Sequence, residues 1–99
     1  MFDPRLVVSP RDKWHLIRVL LITGGPDNNW WSIALGTWKN EEGEKPALGI
    51  RWNGDEDTKG NPTSRGYPTW FILPEEFHDF VLNSLLTSED RDFAIRVLR

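Results

Sequence analysis

Four places in this chain set a cation beside an aromatic ring: Lys13 with Trp14, Trp38 with Lys39, Arg51 with Trp52, and Arg65 close to Tyr67. A cation can follow phosphate while a ring stacks on a base, and binders of single-stranded nucleic acid use that mixture. Adjacent residues of a strand point to opposite sides, so neither member of a pair helps the other directly. A common surface has to be assembled across strands or from loops. On this reading Lys39, Arg51 and Arg65 meet phosphate, and Trp38, Trp52 or Tyr67 stack. With six tryptophans in 99 residues, some such adjacency also arises by chance. An ordinary arginine on a solvated sheet face is the plain alternative for Arg51.

Other chemistry has less support. His15 and His78 are not tied by any pattern to a serine or an acid, so no catalytic residue is expected. Asp55, Glu56 and Asp57 are adjacent carboxylates without the glycine-spaced pattern of a calcium loop, and read as a solvated acidic turn. The Gly60–Gly66 stretch has amides and hydroxyls beside Arg65 that could hold an anion, but lacks the strand-to-helix setting of a nucleotide loop. The absence of cysteine excludes disulfides, thiolate ligands and a cysteine nucleophile. No metal or cofactor is expected. Twelve basic against fifteen acidic residues give a net charge of −3, which opposes strong indiscriminate binding to duplexes while permitting a local basic track.

The elements that would position these residues follow from the apolar pattern. The length suits one domain, 1–99, with one modest core. Residues 1–13 read as an edge strand or extended arm. Trp14 to Thr23 is β-branched and apolar and stops at Gly24-Gly25-Pro26, which favours a strand over a short helix. A polar turn at Asp27-Asn28-Asn29 leads to a second alternating strand, Trp30 to Lys39. Lys45 to Gly54 is the central strand, with Leu48, Ile50 and Trp52 on its heavy face. Ala47, Gly49 and Arg51 form a shallow second face where a phosphate or base could lie. Asn53 to Pro68 is a long irregular segment, and Thr69 to Leu73 a last strand. Pro74 opens an amphipathic helix carrying Phe77, Phe80, Val81, Leu85 and, on its flank, Leu82 toward the sheet. Residues 88–99 are open between a helix capped near Ser88 and a strand alternating Phe93, Ile95 and Val97.

The expected architecture is α+β, a curved antiparallel sheet of about four strands followed by one packing helix. Ile33-Ala-Leu-Gly-Thr-Trp-Lys39, Ala47-Leu-Gly-Ile-Arg-Trp52 and Thr69-Trp-Phe-Ile-Leu-Pro-Glu-Glu-Phe77 carry a resemblance to the positive-cofactor-four family of transcriptional coactivators. The chain resembles a distant bacterial or phage relative of that family over Trp14 to about Leu86. The resemblance implies a homodimer joined through its helices, whose sheets bind single-stranded DNA without strong sequence preference. The functional expectation is a non-catalytic module binding single-stranded nucleic acid weakly through a basic-aromatic sheet face. The alternative is a protein–protein interaction module, accessory or inhibitory, using the same face. No run of apolar residues spans a bilayer, so no membrane partner is expected and the cytoplasm is the expected compartment.

Overall fold

A computed structural model describes residues 2–24, 30–55 and 57–99. The expected turn at Asp27-Asn28-Asn29 and Glu56 of the acidic cluster lie outside the described residues. Three long strands form an antiparallel ladder: β1 (Trp14–Ile22), β2 (Trp31–Asn40) and β3 (Gly43–Trp52). Glu41 and Glu42 alone join β2 to β3, and the Asn40 side chain accepts the Glu42 amide at 2.8 Å across that turn. Such a short connection fixes the register along the whole ladder, from Asn40 opposite Gly43 to Trp31 opposite Trp52. A small hairpin follows, β4 (Thr63–Ser64) and β5 (Tyr67–Pro68). Then β6 (Phe71–Ile72) pairs with β3, giving the sheet order β1-β2-β3-β6.

After Pro74 comes one turn of 3-10 helix, Glu75–Phe77, then α1 (His78–Ser84) and α2 (Ser88–Leu98). The expected curved sheet followed by one packing helix is therefore corrected to an α+β fold with an open, uncurved four-stranded antiparallel sheet and two helices. Residues 88–99 settle as helix because the Thr87 hydroxyl caps the Asp90 amide and acids occupy the first turn. Those local terms outweigh the period-two spacing of Phe93, Ile95 and Val97. α2 passes from Arg18 on β1 to the start of β3. Arg18 lies 3.8 Å over the Phe93 ring and 3.7 Å from Asp90, while Leu98 shares a cleft with Lys45, Pro46 and Ala47.

The sheet is packed on both faces. On the helix face Leu20, Ile33, Leu35 and Leu48 meet Val81, Leu82 and Ala94. On the back face Ala34 and Ala47 lie under Trp14, Trp70 and Val7 of the N-terminal arm. Small side chains make room for the indoles. A Cβ on Gly36 would stand 2.5 Å from the Trp14 ring, and one on Gly49 2.9 Å from the Trp70 Cβ. The Trp70 Nε1–H donates to the Val7 carbonyl at 2.8 Å and so ties the arm down. Each indole, at about 150–250 Å² of buried surface, contributes about 4–6 kcal/mol of transfer free energy. The shallow second face expected around Ala47, Gly49 and Arg51 is thus filled by the chain's own tryptophans.

Two irregularities let β1 serve both layers. Register shifts between Leu16 and Arg18 and between Val19 and Leu21 put Trp14, Leu16 and Val19 on the back and Leu20 and Leu21 on the front. The apolar run of β1 gives no sign of where these shifts fall.

Candidate binding groove

The two helices do not cover the whole front of the sheet. Ten-residue strands extend about 34 Å, whereas two helices lying side by side shade a strip about 20 Å wide. The end left bare is where β2 begins and β3 finishes. There Trp31 faces Trp52, and Ile50 faces Phe71, all on the side that carries the helices. Together with Asn61 and Pro62 they line a groove of about 520 Å³. Trp52 is 54% exposed and Phe71 57% exposed, values far above those of the core rings. The groove's outer wall is held to the end of β3 by a mutual pair of backbone bonds. Trp52 N–H donates to the Asn61 carbonyl at 2.8 Å, and Asn61 N–H donates to the Trp52 carbonyl at 3.0 Å.

Arg51 is the lining residue with a formal charge, and its guanidinium is already engaged. It is 2% exposed. Nη1 donates to the Thr69 carbonyl at 2.6 Å and to the Pro62 carbonyl at 3.5 Å, and Nη2 donates to the Lys59 carbonyl. Burial pushes its pKa down to about 10. A guanidinium in that position is not displayed to phosphate.

The other residues selected from sequence are dispersed. Trp38 lies seven residues along β2 from Trp31, about 24 Å away, and on the opposite face, half-buried against the Trp14 cluster. Lys39 is exposed at that same far end, opposite Glu44. Arg65 sits at the tip of the β4–β5 hairpin, where φ of +53° at Arg65 and +83° at Gly66 match a type I′ turn. Tyr67, 64% exposed, follows it. Of the six, the structure puts Trp52 and Arg51 in the lining of the groove, Arg51 with its guanidinium turned to internal carbonyls. Lys39, Arg65, Trp38 and Tyr67 do not line it.

Trp31, Ile50, Phe71 and Pro62 are groove residues that the cation-aromatic pattern passes over. A signal for them did exist, since the heavy faces of both strands run on past the reach of a short helix. α1 also turns differently from expectation. Val81 and Leu82 are buried, while Phe77 and Phe80 are 52% and 61% exposed. The amphipathic stripe assigned to Phe77, Phe80, Val81 and Leu85 with Leu82 on its flank is rotated, so that Leu82 packs into the core and Phe77 and Phe80 do not.

The loop that follows Trp52 carries exposed acids. Asp55 and Asp57 are exposed just beyond Trp52, and Asp55 Oδ1 accepts the Asp57 and Thr58 amides at 2.8 and 3.0 Å. Lys59 is an exposed cation next in the chain. At the far end of the helix face, burial lowers the His78 pKa below 6.5, opposed by the charges of Glu75, Asp79 and Glu76. No group of three or more His, Cys, Asp or Glu side chains among the described residues is placed to hold a metal ion. Among them, too, no helix is long and apolar enough to cross a membrane. Comparisons with protein-family models, curated proteins and solved structures match nothing to this chain.

Proposed function

We propose that the chain is a non-catalytic interaction module whose aromatic groove docks an apolar segment of another polypeptide, flanked on that partner by basic residues. The observation that carries this reading is the open groove of Trp31, Ile50, Trp52, Phe71 and Pro62, whose nearest cation, Arg51, is spent on internal carbonyls. Rings without a cation beside them suit the anchor side chains that dominate protein interfaces better than they suit a phosphate backbone.

Charge selects the occupant. Asp55 and Asp57 are exposed in the loop that follows Trp52, and the chain carries −3 overall. A second copy would bring the same net negative charge against this one, and single-stranded DNA would bring more. A segment with lysine or arginine beside its apolar anchor is attracted instead.

Tryptophan emission tests the reading. A synthetic peptide with a central leucine–phenylalanine pair flanked by lysines is titrated in parallel with an unstructured oligothymidylate at low and moderate salt. The peptide is expected to shift the emission saturably, and the shift is expected to vanish in Trp52→Ala. Saturable quenching by the oligonucleotide at low salt, with no response to the peptide, would establish the single-stranded nucleic-acid reading in its place. A stable homodimer in sedimentation, lost in Trp52→Ala, would assign the groove to a second copy.

A further inference from the structure

Interaction through the groove leaves Arg51 unexplained. A guanidinium 2% exposed, with no carboxylate among its hydrogen-bond partners, is an expensive residue at that position. Removing a cation from water costs several kcal/mol even after relaxation, and an apolar side chain of similar volume would avoid that. Its acceptors explain where the offsetting interactions lie. The carbonyls of Lys59, Pro62 and Thr69 all belong to one segment, 59–69, approached at its start, near its start and at its end. That segment has few other anchors among the described residues. They are the Trp52–Asn61 pair, the β4–β5 hairpin with Thr63 opposite Pro68 and Ser64 opposite Tyr67, extended by the Thr69 N–H bond to the Pro62 carbonyl at 3.0 Å, and a bridge from Ser9 to Thr69. Asn61 and Pro62, the groove's outer wall, sit between the clamped carbonyls.

We propose that Arg51 is a positioning residue for the groove: from the back of the sheet its two terminal nitrogens draw the ends of the 59–69 segment together and thereby fix the wall against which a ligand packs. This rests on the reading of the groove as a binding site. The planar fork is required, because the two ends of one guanidinium reach carbonyls ten residues apart in sequence. A lysine ammonium is a single point and cannot hold both ends. Methionine fills the volume and donates nothing.

Amide hydrogen exchange on the free protein examines the clamp without any ligand. The amides of Trp52, Asn61 and Thr69 are expected to lose protection by about a hundredfold in Arg51→Met, where both charge-assisted ends are removed in a local opening, and by about tenfold in Arg51→Lys, where one end is lost. The amides of Leu85 and Arg91 in the helical layer are expected to keep theirs. Methylguanidinium added to Arg51→Ala is expected to restore protection at those three amides, and methylammonium is not. Affinity of Arg51→Lys for the lysine-flanked peptide is expected to fall in step, by about tenfold. Unchanged exchange at the three amides, or an equal loss throughout the sheet and helices, would overturn the clamp. So would failure of methylguanidinium to restore protection in a folded Arg51→Ala. Full peptide affinity in Arg51→Lys would overturn its role in the groove. Absence of peptide binding by the unmodified chain would overturn the reading of the groove itself, and the exchange pattern would then show whether the clamp stands alone.

Discussion

The two faces of the sheet have similar apolar resources and different fates. The back face is built from Ala34, Gly36, Ala47 and Gly49, and the chain folds its own Trp14, Trp70 and Val7 onto its centre. The front face is built from larger residues, and short helices cover one end and leave Trp52 and Phe71 bare at the other. Small side chains on a strand therefore marked a bed for internal rings, whereas large ones beyond the reach of a helix marked the open site. A shallow strip is not an accessible strip when tryptophans are available nearby in the chain.

The largest expected effects separate the faces by stability. Trp70→Ala empties the back face and removes the donor to the Val7 carbonyl, and should cost about 3–5 kcal/mol in urea unfolding. Gly36→Ala forces a methyl into the space held by the Trp14 ring and the His15 carbonyl, each 2.5 Å from the new Cβ. It should cost about 1–3 kcal/mol. Trp52→Ala and Phe71→Ala should shift stability by only about 0.5 kcal/mol, while weakening peptide binding at least tenfold if both act as anchors. Equal destabilisation by Trp52→Ala and Trp70→Ala would erase the distinction between the faces.

The four strands of the main sheet, their antiparallel order and the Pro74 junction were legible because they rest on local signals: breakers, alternation and a proline that cannot continue a strand. The β4–β5 hairpin was not, since Asn53 to Pro68 reads as irregular. The second helix was half legible, since the cap at Thr87 and the acids after it competed with an alternating apolar pattern. The site was not. Which face of β3 would be covered depended on Trp70 and on Val7, residues distant from it in the chain, and on bulges in β1 that its largely apolar sequence does not mark. Arg51 read as a surface cation because its position between Ile50 and Trp52 gives no sign of the three carbonyls that receive it. The same holds for Phe80, whose spacing from Val81 and Leu85 suits burial, yet Leu82 takes that place.

A smaller effect concerns pH and the covered end of the front face. His78 Nε2 is buried without a hydrogen-bond partner, and burial holds its pKa below the ordinary 6.5. The unfolded chain then binds the proton first. The stability tied to this residue is therefore full above about pH 6.5 and falls as pH drops through the folded value. The melting temperature should decline slightly over that window, and His78→Gln should flatten the decline. A slope that persists in the variant would assign it to other groups.

The most direct examination of the account follows the six tryptophan indole N–H signals by NMR while the lysine-flanked leucine–phenylalanine peptide is added. The account predicts that Trp52 and Trp31 move together and saturate, with Trp14 and Trp70 unmoved because their face is already occupied. Movement of Trp38 with Trp14 and none at Trp52 would place binding on the back of the sheet and contradict it.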